Sequence, residues 1–140
     1  MRLSGPAARR RLASARVARL ATAAVSGQPH VVPVTFAVDG DGDVIYTAVD
    51  HKPKTTVNLR RLRNITENPQ VSLLADHYSD DWDALWWARA DGRAAILTRP
   101  GDTGAPIALL ASRYPQYRDT PPGGPVIAVT VTRWTGWSYT

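Results

Sequence analysis

Hydrophobic residues in this chain fall into short runs broken by turn chemistry, and most runs have the two-residue period of a half-buried strand. Residues 16–25 read as a first strand, ended by the turn residues Ser26, Gly27, Gln28 and Pro29. Residues 30–38 are a second, Val-rich run. Pro33 inside it cannot donate to a ladder, which implies an edge position, a bulge or a forgone hydrogen bond. Asp39, Gly40, Asp41, Gly42 and Asp43 then form a hairpin connection to a third strand over residues 44–49.

Helical signals lie between and before the strands. Ser4 followed by Pro6 opens a short helix over about residues 4–15, with Leu3, Ala8, Leu12 and Ala15 near one face and Arg9, Arg10 and Arg11 largely in water. Thr55 or Thr56 caps a second helix that runs through Leu59 and Leu62 to about Glu67, where Asn68-Pro69 stops it. A strand over residues 71–75 follows, then a polar, aromatic loop over 76–83. Residues 85–97 read as one strand bent at Asp91-Gly92, and residues 100–104 as a loop. Ile107, Leu110 and Tyr114 have helical spacing, and residues 121–125 break the chain before a last strand over 126–131. Three hairpin-linked strands at the start favour an antiparallel β-barrel with packed helices over a doubly wound parallel sheet. The fold class expected is α+β, mainly β, in one domain spanning residues 1–140.

Composition narrows the chemistry. The 140 residues include no Cys, which removes disulfides, thiolate nucleophiles, iron–sulfur clusters and thiolate zinc sites. No apolar stretch approaches the ~18 residues of a membrane-crossing helix. No secretory h-region follows the early arginines, so a cytoplasmic location is expected. Charge is uneven: residues 1–70 carry 11 basic and 5 acidic groups, and residues 71–140 carry 6 and 7. Only Lys52 and Lys54 are lysines, against 15 arginines, and they sit in one short segment. The arginines could bind nucleic acid, but no recognised nucleic-acid module accompanies them.

Several motifs can be set aside. Asp39, Asp41 and Asp43 have the spacing of an EF-hand start. The required sixth-position Gly is Val44, however, and strand follows instead of helix, so this is a hairpin turn. His30, His51 and His77 lie in separate segments with no i, i+4 pair, and no metal site is expected. There is no Gly-x-Ser-x-Gly elbow, phosphate-binding P-loop or dinucleotide fingerprint.

The remaining candidate is the stretch 50–61, Asp-His-Lys-Pro-Lys-Thr-Thr-Val-Asn-Leu-Arg-Arg. It leaves a strand and places two lysines and Thr hydroxyls at the mouth of a helix. Free amide groups at a helix start, with the dipole and nearby cations, suit an anion. An ordinary capped helix with solubilising lysines fits the same spacing equally well.

Arg19-Leu20-Ala21-Thr22, Pro29-His30-Val31-Val32-Pro33-Val34, Lys52-Pro53-Lys54-Thr55, Asn58-Leu59-Arg60-Arg61 and Asn68-Pro69-Gln70-Val71-Ser72 follow one another in that order. The ordered set resembles the pyridoxamine-phosphate-oxidase-like split β-barrel flavoproteins, and within them the actinobacterial branch of coenzyme F420-dependent oxidoreductases. The resemblance implies an FMN-binding-protein-like split barrel, a homodimer, with cofactor sites at the subunit interface. It implies that Lys52, Lys54, Thr55 and Asn58 hold the phosphate arm, that Thr47 is a small hydroxyl residue near the cofactor, and that the ring lies along Val32, Pro33, Val34 and Thr35. Pro33 stands where relatives commonly carry a polar residue.

The resemblance thus implies coenzyme F420 as cofactor, with FMN as the alternative, and hydride transfer to or from an unsaturated small molecule. It needs no catalytic side chain, because hydride chemistry resides in the cofactor. A non-catalytic flavin or deazaflavin binder, or an FMN-dependent oxidase of the same fold, is the alternative reading. Trp82, Trp86 and Trp87 are candidates for a substrate pocket. The adjacent Trp86 and Trp87 must face opposite sides of a strand, so one packs the core.

Overall fold

The computed structural model describes residues 1–49 and 59–140. In chain order the elements are α1 (Gly5–Ser14), β1 (Ala18–Ala23), β2 (Pro29–Val34), β3 (Ala37–Val38), β4 (Val44–Ala48), α2 (Arg60–Glu67), β5 (Gln70–His77), a 3-10 turn (Trp82–Ala84), β6 (Trp86–Leu97), α3 (Pro100–Arg113), α4 (Pro115–Asp119) and β7 (Val126–Ser138). The strands form one seven-stranded sheet in the order β2-β1-β5-β6-β7-β4-β3, and every pairing is antiparallel. β2 and β3 stand at opposite ends of that order, yet only Thr35 and Phe36 separate them in sequence. Two residues span less than ~10 Å, so the sheet must curl until its edges approach, giving a half-barrel plus helices. Pro33 lies on an edge strand, as its missing N–H requires.

Burial alternates with the pleat. Ala18, Leu20 and Thr22 of β1, Val71, Leu73 and Ala75 of β5, and Ala88, Ala90 and Ala94 of β6 face inward. They pack with Ala8 and Leu12 of α1, Ile65 of α2 and Phe36. A second cluster of Ala37, Ala48, Val126, Leu110, Tyr114 and Tyr117 lies under α3 and α4.

Ser4 caps α1 by accepting from the Ala7 N–H. Arg9 is not simply a solvated side chain. Its guanidinium donates to the Asp39 and Gly42 carbonyls at 2.7 and 2.9 Å and pairs with Asp43 at 3.3 Å. It therefore ties the hairpin turn to α1. Arg9→Ala should cost about 1 kcal/mol, a partly solvated charge-assisted contact, lowering the melting temperature by a few degrees. Calorimetry of the variant checks it.

Four local expectations need correction. Residues 30–38 are not one strand: β2 ends at Val34, and β3 begins at Ala37 on the opposite edge of the sheet. Residues 100–104 are the first turn of α3, not a loop: Pro100 at the first helical position and Gly101 after it start a helix without a side-chain cap. The second helix begins at Arg60, with Leu59 extended before it. Thr55 and Thr56, the expected caps, lie outside the described residues. The last strand continues past residue 131 to Ser138. Asp91 pairs with Arg133 but Gly92 with Val131, which leaves Thr132 as an extra, bulged residue. The bulge moves the inward set from Ile127, Val129 and Val131 to Gly136 and Ser138. An alternation that changes phase reads in sequence as a strand end.

Candidate functional site

Depressions open on the described surface include one on the sheet face and one at the sheet's split. The larger, about 550 Å³, runs along the outer sheet face beside the bulge and is bordered by Ala21, Ser72, Asp91, Arg93 and Thr132. Its carboxylate is already engaged. Asp91 accepts from the Ser72 hydroxyl at 2.5 Å and from Arg89 Nε at 3.2 Å. Asp91 is therefore a paired carboxylate, and Arg93 brings a second guanidinium to the same lining.

The smaller depression, about 210 Å³, is a cleft lined by Val17, Pro33, Val34, Thr35, Ala48 and Arg61. It sits where the chain passes from β2 toward β3, at the split between the sheet edges. Arg61 comes from the first turn of α2, whose N-terminus has no side-chain cap. The cleft therefore combines an edge-strand backbone, a hydroxyl and a guanidinium from the first turn of α2. That set suits a flat, partly apolar ligand carrying an anionic group.

The cleft wall is braced from a distance in sequence. The Tyr114 hydroxyl lies 3.1 Å from the Phe36 N–H and within 2.9 and 3.0 Å of the Phe36 and Arg16 carbonyls. Arg113 donates to the carbonyls of Phe36 and Ala15 at 2.8 and 2.6 Å. Tyr117, one helical turn beyond Tyr114, has its hydroxyl 2.8 Å from Thr35 Oγ1, and either group can donate.

Pro33, Val34 and Thr35 thus come together as cleft lining. Val32 packs against the core instead. Thr47 is 2% exposed and its neighbour Ala48 borders the cleft. Lys52, Lys54, Thr55 and Asn58 lie outside the described residues. The tryptophans separate. Trp86 faces inward, packed against the core with Arg11 5.3 Å from its ring centroid. Trp87 pairs with Asp76 and Trp137 and has Arg89 5.7 Å from its ring. Trp82 is exposed on the 3-10 turn. None of the three lines the cleft of a single chain.

Arg61 and Tyr117 were not singled out from sequence. Arg61 stood within the Asn-Leu-Arg-Arg run, but only the fold shows which of its two arginines meets β2. Tyr117 had no local signal. Among the described residues no group of three or more His, Asp or Glu is placed to hold a metal ion.

The pyridoxamine 5'-phosphate oxidase family pattern matches residues 4–138, almost the entire chain. The chain belongs to the pyridoxamine 5'-phosphate oxidase family. No curated protein matches the sequence. Solved structures with the same fold include the conserved hypothetical protein Rv2991 of Mycobacterium tuberculosis, at 21% identity and a TM-score of 0.77, with 97% of this chain and 85% of that one covered. An FAD-binding protein of Mesorhizobium loti aligns at 21% identity and a TM-score of 0.73, covering 97% and 95%. The heme storage protein HutZ of Vibrio cholerae aligns at 20% identity and a TM-score of 0.71, covering 99% and 95%. At these identities the likeness is one of fold. No helix among the described residues is long and apolar enough to cross a membrane.

Proposed function

We propose that this protein is a homodimeric F420-dependent oxidoreductase that holds the deazaflavin in the cleft beside β2 and exchanges a hydride with an unsaturated small molecule. The observation that carries the reading is the cleft formed by Pro33, Val34, Thr35, Ala48 and Arg61 in a chain of a family named for an oxidase. The bound cofactor supplies the hydride chemistry. The protein binds and orients it. Arg61, with Lys52 and Lys54 on the segment before α2, meets the phosphate arm, with Thr55 and Asn58 as hydrogen-bonding groups beside it. The edge of β2 carries the ring, and Thr35 offers a hydroxyl to its rim. Among the described residues the cleft lining offers a hydroxyl and a guanidinium, groups that position a cofactor.

Size supports the dimer. Ligand pockets usually measure ~300–1,000 Å³, and about 210 Å³ in one chain accommodates only part of a ring cofactor with its tail. The adjoining outer face of β2, β1 and β5 carries Val31 at 60% exposure and Leu74 at 37%. Ala21 lies between Val31 and Ser72 in the ladder. The same face carries the Arg19–Asp76 ion pair, and a second copy closing over it would deepen the cleft.

A second reading, a flavin binder without turnover, has the FAD-binding fold relative in its favour. Turnover separates the two. Reduced F420 mixed with catalytic protein and a panel of enones, quinones and imines should regain its oxidised absorbance in an acceptor-dependent way. Tight binding with no acceptor-dependent oxidation would establish the binder instead.

A further inference from the structure

Among the described residues the cleft has one hydroxyl in its lining besides its guanidinium, and that hydroxyl is not left to rotate. Thr35 Oγ1 is 2.8 Å from the hydroxyl of Tyr117, which is buried at 9% exposure on α4. Tyr117 does not line the cleft itself. Its ring is held edge-on against Tyr114, with centroids 5.7 Å apart, and Tyr114 in turn grips the Phe36 backbone. Two tyrosines three residues apart therefore fix adjacent positions at the crossing between the sheet edges: Tyr114 the backbone of residue 36, and Tyr117 the side chain of residue 35. A Thr hydroxyl has one proton and two lone pairs. Once one of these is committed to Tyr117, two remain, and rotation of the hydroxyl no longer redirects them freely.

We infer that Tyr117 is a positioning residue that acts through Thr35: it presets the Thr35 hydroxyl to hydrogen-bond the polar rim of a planar heteroaromatic ring seated in the cleft. The inference rests on the ring-binding reading of the cleft. Preorganisation matters because a freely rotating hydroxyl would lose entropy on binding, whereas a held one has lost it on folding. Tyr117 also connects the ring site to the α3–α4 unit, so a change in that unit reaches the ligand through one hydrogen bond.

The test is a double-mutant cycle read as ring affinity. The chain and its Tyr117→Phe, Thr35→Val, Thr35→Ser and combined Thr35→Val/Tyr117→Phe variants are titrated with F420 and with FMN, and the absorption maximum of the bound ring is recorded. Tyr117→Phe and Thr35→Val should each weaken binding about fivefold to tenfold, the scale of one hydrogen bond, and shift the bound spectrum the same way. The double variant should lose no more than either single, since both remove one interaction. Thr35→Ser should bind like the parent chain. Tyr114→Phe, which releases backbone contacts, serves as the contrast: its main effect should be a lower melting temperature. Losses that add in the double variant, or a Tyr117→Phe variant with unchanged affinity and spectrum, overturn the role of Tyr117 and leave ring binding in place. A parent chain that binds neither ring overturns both.

Discussion

Gly92→Ala is expected to lower the melting temperature by roughly 10 °C. A Cβ at position 92 would stand 2.3 Å from the Thr130 carbonyl oxygen and 3.0 Å from both the Thr130 carbonyl carbon and Val131 Cα. All three neighbours are backbone atoms of the adjoining strand, so no side chain can turn aside. The site lies at the β6–β7 bulge, where Gly92 pairs with Val71 on one side and Val131 on the other. Relief requires parting β6 from β7 in the middle of the sheet, at about 3 kcal/mol or more. Thermal unfolding followed by circular dichroism reads the shift. An alanine variant that melts with the parent chain would show that the strands do not approach this closely. Gly136 has a milder form of the same constraint, with the Trp87 carbonyl oxygen at 2.9 Å and Ala8 Cβ at 3.1 Å from an added Cβ. There the absent side chain lets α1 settle on β7.

The second large effect is on binding. Lys54→Ala should weaken a phosphate-bearing ring cofactor by about 1.5–3 kcal/mol, the range for one charge-assisted hydrogen bond. That is a loss of about tenfold to more than a hundredfold in Kd. Arg10→Ala, an exposed change on α1, should leave Kd nearly unchanged although it removes the same formal charge. The pair separates a specific contact from the general attraction of a chain with net charge +5. Equal losses in the two variants would remove Lys54 from the site and assign the attraction to the overall field.

Much of the fold was legible because alternation survives in most strands. β1, β2 and β5 each keep one phase from end to end, and the Asp-Gly run between Val38 and Val44 has little use except as a turn. Legibility failed where a local rule was overridden. The continuation of β7 through Trp134 and Trp137 was hidden by Thr132, whose bulge reverses which residues face inward. The start of α3 was hidden by composition: Pro, Gly, Asp, Thr and Gly describe a loop until Pro100 is placed at the first helical position. Site residues divide similarly. Pro33, Val34 and Thr35, which line the cleft, lie in one short segment that the sequence reading had already singled out. Arg61 required knowing which face of α2 meets β2. Tyr117 is 82 residues from Thr35, and nothing in its own segment distinguishes it from a core tyrosine.

The claim on which the rest depends is that the cleft at the end of β2 binds a phosphate-bearing ring cofactor, deazaflavin in preference to flavin. Titration of the purified protein with F420, and separately with FMN and FAD, tests it most directly, with the emission of its five tryptophans as the signal. The account predicts saturable quenching by F420 at micromolar concentration or below, and weaker binding of FMN and FAD. Saturable binding of FMN or FAD in preference to F420 would contradict the deazaflavin assignment, and no saturable quenching by any of the three would contradict the site itself.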